Sequence, residues 1–214
     1  MLFPDLFRDD VYHLETARLW LRWPRAADAG QLGRFAGLAA VAEMTASWPH
    51  PLPAGEADRR ILRARQANAE GTAIVLAIAR KREPARMIGM AGLHIEQRES
   101  RDQQHVLGLG YMLDPAFHSH GLMTEAVRAL TGVGFRFMPV QSIVASSLPI
   151  NPASRRVLEK CGFAHTGDSM HGAPARGGPQ SCHDFELTRG RWMMTDALSN
   201  PAKDADGSDT GAAA

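Results

Sequence analysis

The sequence predicts one α/β domain on a mixed sheet, with its elements in the order β-α-α-β-β-β-α-β-α-β-β. Three observations carry that expectation. Short apolar and β-branched runs alternate with segments of helical periodicity. Two of the runs, "TAIVLAIAR" and "RMIGMAGLHIE", follow each other across the turn-like "KREP", so the sheet contains a hairpin. A chain of 214 residues, 44% of them hydrophobic, can bury one sizeable core, or two very small ones at most.

Residues 14–23 alternate: Leu19, Leu21 and Trp23 share one face, Arg18 and Arg22 the other, and Pro24 stops the strand. Asp28 is placed to cap a helix over 29–44, where Leu32, Phe35, Leu38 and Ala39 recur at helical spacing. The proline-rich "WPHPLPAGEAD" is a connector that offers Trp48 and His50 as substrate-side contacts. A polar-faced helix covers 56–70, and its basic run "RRILRAR" reads as a solvated face. After the hairpin and the polar link "QRESRDQQ" comes a third strand, "HVLGLGYMLDP". The next helix runs from about 121 to 137 and buries Met123, Val127, Leu130, Gly134 and Phe137.

"VQSIVASSLPI" is a strand, and "NPASRRVLEKCGF" a short helix with clear ends. Asn151 is its N-cap, Pro152 its first residue, and Gly162 lies just past its end. "AHTGDSM" and "SCHDFELTRGRW" close the sheet around the Gly/Pro-rich "HGAPARGGPQ". The domain is expected over 14–195, after an extension at 1–13. A small-residue tail at 196–214 cannot bury a core and reads as disordered.

Composition excludes several classes. A net charge of +1 argues against a protein that neutralises nucleic-acid phosphates along a groove. Cys161 and Cys182 lack CxxC spacing, so neither a disulfide framework nor a Cys-rich zinc site is indicated. The acidic N-terminus does not read as a signal peptide, and no run reaches the roughly 18 apolar residues of a membrane span. A cytoplasmic location, without membrane or nucleic-acid partner, is expected.

"FHSHGLMTEAVRAL" allows three readings. His118 and His120 suggest a metal site, but without HExxH or Cys/His spacing none is assigned. An ordinary turn would use Gly121 for a left-handed residue, with Ser119 or Thr124 capping the helix. An anion cradle would use the free N–H groups and dipole of a helix beginning beside Gly121.

Four pieces of the chain resemble the GNAT acyl-CoA-dependent N-acetyltransferases, and among them the RimJ/RimL-type branch, which acetylates ribosomal-protein N-termini and other amines. They are "LETARLWLR", "LGYMLDPAFHSHGLMTEAVRAL", "NPASRRVLEKCGF" and "FELTRGRW". The resemblance implies a mostly antiparallel central sheet flanked by helices, and acetyl-CoA as cofactor. It implies that backbone N–H groups from Ser119 to Thr124 hold the pyrophosphate, with His118, Ser119, His120, Gly121, Leu122 and Met123 on the family's R/Q-x-x-G-x-G/A loop. His118 and Met123 depart from that pattern and Gly121 keeps it. Met112 and Leu113 would offer backbone groups to the pantetheine arm, where strands splay beside Gly108 and Gly110.

The same resemblance gives Ser154 the task of donating a proton or hydrogen bond to the coenzyme A sulfur, and Asn151 that of orienting the arm or substrate. Ser154 shares a helical stripe with Val157, Leu158 and Cys161, so a hydroxyl heads an otherwise apolar face. A cap network of Asn151 and Ser154 is the plainer reading, and both can hold together. Arg155 and Arg156 could meet the cofactor's 3′-phosphate or stay solvated. Many family members carry Glu where this chain has Gly108, so the base stays open among His94, His105, Glu96, Glu125 and water. Cys161 reads as core, Cys182 lies near the closing strand, and no Cys/His pair shows a clear nucleophile role, which favours direct transfer. The expected activity is acetylation of a protein N-terminus or a small-molecule amine. The alternative is a catalytically degenerate acyl-CoA-binding sensor. Homodimers are common in the family, and nothing in the chain fixes that state here.

Overall fold

The computed structural model describes residues 2–96 and 105–199. One eight-stranded sheet organises them in the order β1-β2-β3-β4-β5-β6-β8-β7. The strands are β1 His13–Glu15, β2 Leu19–Arg22, β3 Ala73–Arg80, β4 Glu83–Glu96, β5 Val106–Leu113, β6 Ser142–Ser147, β7 Ala164–His171 and β8 Gln180–Thr188. Neighbours are antiparallel except β5 and β6, which run parallel. Helices α1 Ala29–Ala36, α2 Ala39–Ala42 and α3 Glu56–Glu70 pack on one face, and α4 Leu122–Phe137 with α5 Pro152–Lys160 on the other. Helix α6 Arg189–Ser199 follows β8.

Period-two alternation sends each strand's side chains into two cores. On β3, Ile74, Leu76 and Ile78 enter the larger core beneath α4, while Ala77 packs with Leu32, Phe35 and Ile61 beneath α1 and α3. The basic run on α3 is solvated only in part: Arg59 and Arg60 pair with Glu56 at 2.9 and 2.6 Å, Arg60 also lies over Trp48, and Arg65 donates to the Pro24 carbonyl at 2.9 Å.

The N-terminal part departs from expectation. Thr16 and Leu19 exchange hydrogen bonds at 3.0 Å, which folds 13–15 back on 19–22 and doubles the first strand. Arg22 is buried, not solvated: it is 7% exposed and forms a two-pronged bond to Asp28 at 2.8 and 2.9 Å. Asp28 also accepts the Arg25 N–H at 2.7 Å and therefore gives α1 no side-chain cap. The helix expected over 29–44 breaks where Leu38 turns extended (φ −68°, ψ 134°). The segment before β1 belongs to the core, with Phe3 and Phe7 both buried.

Helix α6 is also a correction, because the closing strand ends at Thr188 and the chain is helical past 195. Arg189 anchors it by donating to the carbonyls of Phe135, Met138 and Val140, which satisfies the orphan end of α4. Trp192 then stacks on the buried Phe135 at 5.2 Å, while Phe137, expected inside, is 51% exposed at the helix end with Phe7 edge-on against it. The link at 97–104 and residues 200–214 of the tail lie outside the described residues.

Candidate active site

The sheet opens along β5. Its parallel ladder with β6 covers Val106 to Gly108, whereas its antiparallel ladder with β4 continues to Leu113. From Leu109 to Leu113 one edge of β5 has no strand beside it among the described residues. Gly89 lets β4 approach there, since a Cβ on it would lie 2.6 Å from the Met112 carbonyl oxygen. Met112 and Leu113 face the resulting cleft.

Beyond β5, Asp114 accepts the Ala116 N–H at 3.0 Å and starts a tight turn. Ser119 (φ 64°) and Gly121 (φ 72°) both adopt left-handed backbone, and α4 begins at Leu122. No side chain caps this helix, so neither Ser119 nor Thr124 plays the capping role. The first-turn N–H groups of Leu122, Met123 and Thr124 are left for a ligand at the positive end of the helix dipole. His118 turns one ring nitrogen to the Leu113 carbonyl (3.1 Å) and His120 turns one to that of His118 (2.6 Å), so both splint the loop. His120 does not line the cleft.

Arg18 and Glu125 brace this loop. The Arg18 guanidinium donates to the His120 carbonyl at 3.0 Å and to Glu125 at 2.6 Å. Glu125 also accepts the Thr16 hydroxyl (2.6 Å) and the Arg18 N–H (2.8 Å). Burial would raise the Glu125 carboxyl, but these donors outweigh it and hold the group below the usual carboxylate range. Glu125 is thus a latch between α4 and the β1–β2 turn.

Across the cleft, Asn151 caps α5 by accepting the Ser154 N–H at 3.0 Å. Ser154 Oγ lies 2.9 Å from the Tyr111 hydroxyl, which also donates to the Ser154 carbonyl at 3.2 Å. Burial pushes the Tyr111 phenol up, more than the Ser154 hydrogen bond lowers it, so the group is a neutral hydroxyl. Sequence reading missed Tyr111, although its strand parity with Leu107 and Leu109 placed it on the α5 face. Arg155 is engaged by Glu159 at 2.7 Å, while Arg156 lines the cleft.

These pieces enclose a cavity of about 950 Å³. Its far wall includes Val41, Met44, Trp48, Met90 and His94, and among the described residues no Asp or Glu lines it. The β7–β8 loop closes that wall: the Ala175 N–H donates to the Ala46 carbonyl at 3.2 Å, and Arg176 to that of Trp48. His50 turns away to the Gly37 carbonyl at 2.9 Å. His105 is exposed at the start of β5, outside the cavity. Cys161 is buried and its thiol pushed up to about 12 by that burial; burial and the nearby Asp184 also raise the Cys182 thiol. Elsewhere, a bulge at Gly167 brings His165 and His183 onto Asp168 at 2.9 and 2.7 Å. These groups are close enough to share a cation, and hydrogen bonding alone accounts for their arrangement.

An uncapped helix end, a strand edge left open, and the Tyr111–Ser154 hydroxyl pair between β5 and α5 form a cleft suited to a phosphate-bearing ligand. The chain belongs to the acetyltransferase (GNAT) domain family, whose description residues 18–164 match. The probable N-acetyltransferase YjcK of Bacillus subtilis (strain 168) is 44% identical over 59 residues, 28% of this chain and 33% of YjcK. The match therefore spans about a third of that relative. RimL, the ribosomal L7/L12 alpha-N-protein acetyltransferase solved with coenzyme A, superposes with a TM-score of 0.69 at 18% identity, covering 83% of this chain and 98% of RimL. AAC(6')-Ib solved with ribostamycin and coenzyme A gives 0.67 at 21% identity, covering 83% and 97%. At these identities the likeness shows the fold, a mixed and mostly antiparallel sheet flanked by helices.

Proposed function

We propose that this protein is an acetyl-CoA-dependent N-acetyltransferase that acts directly on a primary amine, either a protein N-terminus or a small-molecule amine. The observation that carries the reading is the Tyr111–Ser154 hydroxyl pair, which joins β5 to α5 beside the open edge of β5. The residues present fit coenzyme A. The uncapped N–H groups from Ser119 to Thr124 would hold the pyrophosphate, the Met112 and Leu113 backbone the pantetheine arm, and Arg156 the terminal phosphate. Cradling by backbone groups is compatible with His118 and Met123 in the loop.

When bound, acetyl-CoA supplies an acyl group as a thioester. Ser154 holds a proton at Oγ for the departing sulfur, Tyr111 orients and replenishes it, and Asn151 fixes the turn that presents it. Buried thiols with raised pKa values support direct transfer over an acyl-cysteine. The wall of Val41, Met44, Trp48 and Met90, with no carboxylate among the described lining residues, favours a monoamine with an apolar neighbour over a polycation.

The test pairs calorimetry with acetyl-CoA and thiol release against a panel of N-terminal peptides and primary amines. Wild type is expected to bind and turn over, and Ser154→Ala to lose about 100-fold in kcat with acetyl-CoA affinity kept. Binding without turnover would put an acyl-CoA sensor in place of the enzyme, and no binding at millimolar acetyl-CoA would sink both readings.

A further inference from the structure

We propose that His94 is the general base of this reaction and that Glu96 is the carboxylate that positions it; the inference rests on the acetyltransferase reading above. It starts from a glycine that has no backbone reason to be one. Gly108 lies mid-strand in β5, directly opposite His94 on β4, and is not among the residues with positive φ. Space explains it. A Cβ on Gly108 would lie 2.3 Å from His94 Nε2, 2.4 Å from Cε1 and 2.8 Å from a Glu96 oxygen. The imidazole lies across the strand where a side chain at 108 would stand.

Strand parity then aims it. Met90, Gly92 and His94 alternate onto one face of β4, and all three line the cavity. His94 and His118 are the imidazoles of that lining, and no carboxylate joins them among the described residues. His118 sits in the loop before α4 with Nε2 on the Leu113 carbonyl. His94 is therefore the group placed to take a proton on the acceptor side.

Glu96, two residues on along the same face, lies 3.1 Å from His94 Nε2. That contact holds the proton on Nε2, leaves Nδ1 with the lone pair, and stabilises the imidazolium once formed. Glu96 is the titratable group that faces the ring among the described residues. The strands on either side, β3 and β5, present Ala73, Val75, Gly108 and Gly110 there, and from the helical side Arg60 lines the same cavity.

The proton balance is complete without another reactant. An ammonium group gives up two protons in becoming an amide. One passes to His94 Nδ1, directly or through one water, and on to solvent; the other ends on the sulfur, delivered by way of Ser154. The amine nitrogen bonds to the acyl carbon and the carbon–sulfur bond breaks.

The test compares kcat/KM against pH for two acceptors: the best primary amine of the panel, protonated at neutral pH, and hydroxylamine, already neutral there. Wild type should show a base-dependent rise in rate with pH for the first acceptor that is absent with hydroxylamine. His94→Ala should lose about 100-fold with the protonated amine, lose that limb, regain rate with added imidazole, and leave hydroxylamine transfer and acetyl-CoA affinity unchanged. Gly108→Ala, which forces the ring aside, should reproduce the loss alone and add nothing to His94→Ala. Equal losses with both acceptors, no rescue by imidazole, or an additive Gly108→Ala would make His94 structural and overturn the proposal. Wild type that binds acetyl-CoA but acetylates neither amine would instead remove the enzyme reading, and the base with it.

Discussion

The two walls of the cavity are held by different physics. The donor wall is the β5 edge, the loop at 118–121, and the first turns of α4 and α5. Its backbone N–H donors at the uncapped start of α4 and its Asn151-capped start of α5 are shaped mainly by residues within a few positions, with the Arg18–Glu125 brace added from a distance. The acceptor wall is gathered from α2, the Trp48 loop, Arg60 of α3, Val75 of β3 and β4, with the β7–β8 loop packed behind it. Single contacts between distant segments hold it, such as Arg176 on the Trp48 carbonyl. A wall of backbone groups absorbs side-chain changes like His118 and Met123. A wall of long-range contacts is altered by one substitution.

The largest effect is expected of Asp28→Ala, in the segment that ties β2 to the start of α1. It strands the Arg22 guanidinium in the interior, so a loss of about 3–5 kcal/mol is expected by urea denaturation. A cost under about 1 kcal/mol would mean that β2 and α1 are joined otherwise.

Gly121→Val strikes the donor wall. At φ 72° a β-branched side chain is strained by roughly 1–2 kcal/mol and crowds the cradle, so acetyl-CoA should bind about tenfold or more weakly by calorimetry. Unchanged affinity would show that the loop at 118–121 is not the phosphate site.

Glu125→Gln probes the latch behind that loop. Its carboxyl is held below the unfolded value, so its stabilisation is present above the usual carboxylate range and is lost as pH falls through the lowered value. Wild type should exceed Glu125→Gln by about 1 kcal/mol at neutral pH, with the gap closing in acid. Melting curves at both pH values measure it, and a pH-independent gap would contradict the latch.

The mildest change is Arg176→Ala, which frees the β7–β8 loop from Trp48. A severalfold rise in acceptor KM with unchanged acetyl-CoA affinity is expected in steady-state kinetics. A shift in cofactor affinity instead would mean that the walls are coupled.

Much of the donor wall was legible because its signals are local. Asn151, Pro152 and Gly162 bound α5 where their chemistry requires, and the helix after Gly121 begins one residue on. The break at Leu38, the burial of Arg22 and the α6 cap on α4 were not. Two of them depend on partners that periodicity does not read: Asp28 turned inward to Arg22, and Arg189 reaching three carbonyls at and beyond the end of α4. Phe137 followed the periodicity of α4 and was still half exposed, because it is the last residue of the helix and packs only edge-on against Phe7 there.

By itself the sequence determined the layered α/β order, the two helix ends of the donor wall and the family resemblance, since caps, left-handed glycines and side-chain periods act over a few residues. Tertiary structure alone decided which groups meet. It set Tyr111 against Ser154, 43 positions away, and laid His94 across the space left by Gly108. Sheet register and the divergence of β5 from β6 fix those meetings, and register depends on the whole sheet rather than on any one strand.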